Sequence, residues 1–162
     1  MIDVSESELR EGLAASLHVR RWVDDVAAEA PFADFAALHR VAHDRATPLS
    51  PAEVDEAVAA HPRIGERPTG DGRDAAFSRA EQEAVDSEDG QLDKALLEGN
   101  ATYEERFGRV FLIRAAGRSR AEIVDELQRR LTLDDETELA IVGEELRDIA
   151  LLRLEKLFGG AA

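Results

Sequence analysis

The chain contains no cysteine. Disulfides, thiolate catalysis and cysteine-ligated zinc are therefore excluded, and the fold must hold by packing. Aromatic residues are scarce, at 5% of 162 positions, with a single tryptophan and a single tyrosine. The apolar mass comes instead from Ala, Leu and Val, which together with abundant Glu and Arg make a helical composition. Positive charge is also in deficit: Lys plus Arg total 20 against 35 Asp plus Glu, a formal charge of −15. Such a field repels phosphate backbones and anionic membranes, so nucleic acid is not an expected partner. No apolar run approaches the ~20 residues of a membrane span, and the opening MIDVSESELREGL lacks a basic segment followed by an apolar one. A soluble cytoplasmic protein is expected, with one domain covering residues 1–162 and large enough to bury its own core.

What is present reads as an all-α, single-domain helical bundle of about eight helices with one irregular loop of functional length. Leu9, Leu13 and Leu17 open a helical pattern, Trp22 and Val26 suggest a second helix closed by Pro31, and a third is expected from about Asp34 to Arg45. Ser50-Pro51-Ala52-Glu53 combines an N-cap serine, proline at the first helical position and a capping-box glutamate. The helix it starts must end near His61, because Pro62 disfavours the α conformation in the residue before it. Residues 63–77, RIGERPTGDGRDAAF, show no period and read as a loop. SRAEQEAV from Ser78 is another capping-box start, and after a break near Asp89-Gly90 the residues Leu92, Leu96, Tyr103 and Phe107 form a longer stripe that Gly108 stops. Val110-Phe111-Leu112-Ile113 could pass for a buried strand but has no second strand to pair with, so it reads as an extended connector. Ser119 and then Asp134 or Asp135 start the last two helices, and Phe158-Gly159-Gly160-Ala161-Ala162 reads as a frayed end.

Some residues are not explained by packing. His61 sits where helix gives way to loop, near unpaired carbonyls that favour a protonated imidazole; it either caps those carbonyls or performs acid–base chemistry. Glu81 follows Ser78 by three residues, which a capping box accounts for in full, and Gln82 beside it offers a donor and an acceptor. Arg153 stands out. Positions 139, 142, 146, 149, 153 and 157 share one helical stripe, and all but Arg153 are apolar. Its guanidinium suits a ligand carboxylate, an internal salt bridge, or a snorkelling route to the surface. His39 and His43 have the i, i+4 spacing of a metal pair but lack a third ligand, so no metal is expected.

Taken in order, these elements resemble the 2-oxo-4-hydroxy-4-carboxy-5-ureidoimidazoline (OHCU) decarboxylases, which complete the uricase route from urate to S-allantoin. The resemblance runs through His61-Pro62-x-Ile64-Gly65, Ser78-x-x-Glu81-Gln82, Asn100-x-x-Tyr103-x-x-Arg106-Phe107-Gly108, Phe111-Leu112-Ile113, Gly117-Arg118-Ser119 and Ile149-Ala150-x-x-Arg153-Leu154. It implies His61 and Glu81 as the catalytic pair and Pro62, Ser78, Gln82 and Arg153 as substrate contacts. Main-chain groups around Phe111, Leu112 and Ile113 are implied to cradle the substrate ring. It also implies a carboxy-lyase that needs no metal or organic cofactor, an anionic ureidoimidazoline substrate, and a homodimer as a frequent assembly. The chain departs from many relatives at Arg109-Val110, where an apolar residue or proline is common, and at Ala116, where a basic residue is common. Two readings from other classes compete: a non-catalytic helical module that binds protein partners, and a hydrolase of a neighbouring purine-ring intermediate.

Overall fold

Five of the described helices are started by side chains that satisfy an orphan N–H group of the first turn. In the computed structural model, which describes residues 2–60 and 90–159, Ser50 and Glu53 form the expected capping box: Glu53 N–H donates to Ser50 Oγ at 3.2 Å and Ser50 N–H to Glu53 Oε1 at 2.9 Å. Ser119 and Glu122 form another, and Asp34 and Asp134 cap as single acceptors. A further box at Ser5 and Glu8 starts the first helix.

The described helices are α1 (Glu6–Ser16), α2 (Arg20–Ala27), α3 (Phe35–Arg45), α4 (Pro51–Val58), α5 (Gly90–Phe107), α6 (Arg120–Arg130) and α7 (Asp135–Leu154), the last running into a π-helical turn, Glu155–Gly159. No strand occurs among the described residues, so the class is all-α. The helix expected from Ser78 and the loop 63–77 lie outside the described residues. Helix α2 stops at Ala27, short of Pro31, and α4 stops at Val58, short of His61. Among the described residues no helix is long and apolar enough to cross a membrane.

The chain divides into two compact units, one formed by residues up to Ala57 and from Gly143 onward, the other by Val58–Val142. In the first, Leu9, Leu13, Leu17, Trp22, Val26, Leu38 and Ala42 are buried, and the Trp22 indole donates to the Ala42 carbonyl at 3.0 Å. The chain's last turn is not frayed as far as Gly159: a Cβ on Gly12 would lie 2.7 Å from Phe158 Cζ, so the missing side chain of Gly12 is what seats that buried ring. Helices α2 and α4 are tied by Arg21, whose Nε and Nη2 donate to Glu53 at 2.6 and 3.1 Å.

The Arg21 fork, with smaller help from Ser50, holds the Glu53 carboxyl down to about 2 from an ordinary 4.5. A depressed carboxylate adds stability that is complete above its unfolded pKa and is lost as pH falls through the folded one. Glu53→Gln should therefore cost no more than about 1 kcal/mol at pH 7, since Arg21 is partly exposed and screened. Urea midpoints of the two proteins should converge as pH falls from 4.5 towards 2. A gap that persists unchanged at pH 2 would assign the effect to lost packing.

In the second unit α5 and α6 approach closely at Gly99, where a Cβ would stand 2.4 Å from Leu127 Cδ2. The core there gathers Leu96, Tyr103, Phe111, Ile113, Ile123, Val124 and Leu127. Burial of each large side chain contributes about 1.5–3 kcal/mol. Gly108, at φ +74°, ends α5 in the left-handed conformation open to a residue without Cβ. From there to Ser119 the backbone forms neither helix nor strand, and this connector includes Phe111, Leu112 and Ile113.

Candidate functional site

A connector without a ladder or helical bonds leaves its peptide groups to find partners elsewhere. The Leu112 carbonyl finds one in Arg130, the last residue of α6, whose Nη1 donates to it at 2.7 Å. Arg130 is fully buried and faces the equally buried Glu138 in the first turn of α7. Its Nε lies 2.7 and 3.1 Å from the two Glu138 oxygens, and Nη2 also donates to Oε1. Tyr103 of α5 completes the cluster, its hydroxyl donating to Glu138 Oε1 at 2.7 Å. The local sequence explains the placement: a cation ending α6 and an anion opening α7 each suit the helix dipole, and Asp134 pins the turn between them by accepting from Thr137 N–H at 2.7 Å.

The same groups grip Phe111. The Arg130 guanidinium carbon lies 4.7 Å from the Phe111 ring centroid, and the Tyr103 ring meets Phe111 edge-on at 5.3 Å and 66°. Burial, and then the bond to Glu138, push the Tyr103 hydroxyl well above its usual pKa, so it stays a neutral donor. Phe111, Leu112 and Ile113 are all buried, at 1%, 3% and 2% exposure. Of the residues expected to form the site, these three lie in one buried stretch of the connector, where the Leu112 carbonyl is held by Arg130. Arg109 and Val110, the positions of departure, are partly buried beside them.

Arg153 belongs to the other unit, in the last turn of α7. At 2% exposure it does not snorkel, and its Nη1 donates to the Ala15 carbonyl at 3.2 Å. Helix α1 has no basic residue in its own last turn, so Arg153 supplies from elsewhere the cation that its C-terminal carbonyls favour. His61, Pro62, Ser78, Glu81 and Gln82 lie outside the described residues. His39 meets Phe35 edge-on at 5.8 Å and His43 stands 3.3 Å from Asp44; among the described residues no group of three or more His, Cys, Asp or Glu is placed to hold a metal.

Arg130 and Glu138 were missed by the reading of the sequence, although the signal that singled out Arg153 applies to Arg130. It falls three residues after Leu127 and seven after Ile123, on the apolar stripe of α6.

Comparison with known proteins gives a consistent picture. The family model described as OHCU decarboxylase matches residues 3–155. The 2-oxo-4-hydroxy-4-carboxy-5-ureidoimidazoline decarboxylase of Mus musculus is 37% identical over 101 residues, covering 61% of this chain and 57% of the mouse protein. The uric acid degradation bifunctional protein TTL of Arabidopsis thaliana is 35% identical over 111 residues, or 66% of this chain and 34% of that protein. This chain thus spans only part of the length of these relatives. A crystal structure of OHCU decarboxylase in the presence of (S)-allantoin has the same fold, with a TM-score of 0.78 at 24% identity over 92% of this chain and 98% of that one.

Proposed function

Because the chain belongs to the OHCU decarboxylase family, we propose that it releases carbon dioxide from 2-oxo-4-hydroxy-4-carboxy-5-ureidoimidazoline to give S-allantoin in urate breakdown. One observation carries this reading: the match to the family runs from residue 3 to residue 155 and takes in every motif that the resemblance rests on. On this reading residues 1–162 act as one decarboxylase-like domain in the cytoplasm, with a homodimer as the expected assembly.

The substrate places a hydroxyl and a carboxylate on one ring carbon, beside a ring C=N bond. When the bond to the carboxylate breaks, its electron pair moves into that C=N system, so the substrate carries its own electron sink. The nitrogen takes a proton, the hydroxyl gives one up to become the ring carbonyl, and a proton is delivered to the ureido-bearing carbon. The protein must therefore hold the carboxylate out of the ring plane and move protons on one face. His61 is assigned the proton transfer. An imidazole with a near-neutral pKa can take the hydroxyl proton and return it to carbon, and delivery from a single face sets the S configuration. Glu81 orients His61 and accepts from ring or ureido N–H groups, while Ser78 and Gln82 hold the remaining polar edge. Pro62 lies against the substrate beside His61, and main-chain groups of Phe111, Leu112 and Ile113 cradle the ring. Arg153 neutralises substrate charge, which offsets the repulsion an anion meets from a chain of charge −15.

The test is carbon dioxide release from substrate freshly generated by urate oxidation, with the handedness of the allantoin read by circular dichroism. Release well above the spontaneous rate, with S product, is the expected result. Ring opening without loss of carbon would identify a hydrolase. No turnover at all would leave a protein-binding module.

A further inference from the structure

Arg130 does more than pair with Glu138. A buried ion pair can be replaced by well-packed apolar side chains with no loss, or even a gain, of stability. Packing alone therefore gives no reason for Arg130 and Glu138, both at 0% exposure, to be charged. What an apolar pair cannot do is bind the Leu112 carbonyl, which accepts from Arg130 Nη1 at 2.7 Å. That carbonyl sits in a connector with no regular structure to orient it. The cis peptides among the described residues are Ala30-Pro31 and Thr47-Pro48, so the bond between Leu112 and Ile113 is trans. In a planar trans peptide the C=O and N–H point opposite ways. Drawing the Leu112 carbonyl to Arg130 thus turns the Ile113 N–H away from the buried cluster. Phe111, next in the connector, is packed against the same Arg130 guanidinium and the Tyr103 ring.

We propose that Arg130, braced by Glu138 and Tyr103, is a positioning residue for the reaction: it fixes the 112–113 peptide so that the Ile113 N–H is presented to the substrate ring. This rests on the decarboxylase reading and deepens it. The guanidinium is the right group, since its fork spans Glu138 through Nε and Nη2 while Nη1 remains for the carbonyl. Tyr103 occupies a further lone pair of Glu138 Oε1, so the carboxylate is held from two helices.

The experiment compares the unmodified protein with the double variant Arg130→Met/Glu138→Leu and with Tyr103→Phe. The double variant should melt below the wild-type temperature, because the Tyr103 hydroxyl and the Leu112 carbonyl lose their partners; in the folded protein, assayed well below that melt, kcat should fall 10- to 100-fold with KM moved less than threefold, because the ring still binds but is held out of alignment. Amide exchange at Ile113 should accelerate at least tenfold, with the interior amides of α6 and α7 unchanged. Should the double variant fail to fold, Tyr103→Phe, which keeps the ring and removes one bond to Glu138, should lower kcat two- to fivefold and speed Ile113 exchange at an unchanged KM. A folded double variant, or a Tyr103→Phe protein, with wild-type kcat and wild-type Ile113 exchange overturns the proposal. If the unmodified protein releases no carbon dioxide, the decarboxylase reading fails, and the exchange measurement alone still decides whether Arg130 orients this peptide.

Discussion

The His61→Asn protein is expected to keep its helical circular dichroism and its melting temperature while losing roughly 10²- to 10⁴-fold in decarboxylation, the range typical of a positioned general acid or base. The amide matches the imidazole in polarity and nearly in reach, but it cannot exchange a proton near neutral pH. The change falls beyond the end of α4 at Val58, so that helix should be unaffected. Steady-state kinetics on freshly generated substrate decides the matter. Full activity in His61→Asn would remove His61 from the mechanism and leave it as a carbonyl cap, in which case a fall in melting temperature should appear instead.

Arg153→Met should show two effects that can be separated. Methionine retains much of the buried stem's packing, but the donor to Ala15 is lost, and removal of a charge-assisted bond to a helix-terminal carbonyl should lower stability by about 1.5–3 kcal/mol. If the guanidinium also binds the substrate anion, kcat/KM per folded molecule should fall a further 10- to 150-fold, the equivalent of one charged hydrogen bond. Urea titration measures the first effect, and kinetics well below the melting temperature measure the second. Normal kcat/KM in a destabilised protein would confine Arg153 to tying α7 to the end of α1. It would also leave His61 and Glu81 without the anion clamp that the proposed mechanism gives them.

Much of the fold was legible where the deciding chemistry is local. Ser50, Ser119, Asp34 and Asp134 announce helix starts because a cap is satisfied within three residues, and each does so in the structure. The Ser5-x-x-Glu8 box carries the same signal and was overlooked beside the leucine stripe that follows it. The connector was legible from Gly108 and the lack of a partner strand. Long-range capture was harder to read. Gly159-Gly160 suggested a loose end, yet Phe158 is buried because Gly12, far away in the chain, has no side chain in its path. Arg153 was found because it is a lone charge on an apolar stripe. Arg130 meets the same criterion, but its meaning depends on Glu138 across a turn and on Tyr103 from a third helix, and neither relation has a fixed spacing in sequence. The assignments of Ser78, Glu81 and Gln82 came from the family pattern, since a capping box explains the first two equally well.

The division of the chain has a consequence for biosynthesis. Val58–Val142 is continuous, so all of its residues have been made before the other unit is complete. The other unit joins residues up to Ala57 to those from Gly143 onward, and at about 5–20 residues per second the intervening stretch takes roughly 4–17 s to translate. Throughout that interval Leu9, Leu13, Trp22 and Val26 wait without Leu146, Ile149, Leu154 and Phe158, the residues that complete their unit. The segment up to Ala57 is therefore expected to become protease-resistant on the ribosome later than Val58–Val142, although it is made earlier, and its exposed apolar face is where a nascent-chain chaperone would bind.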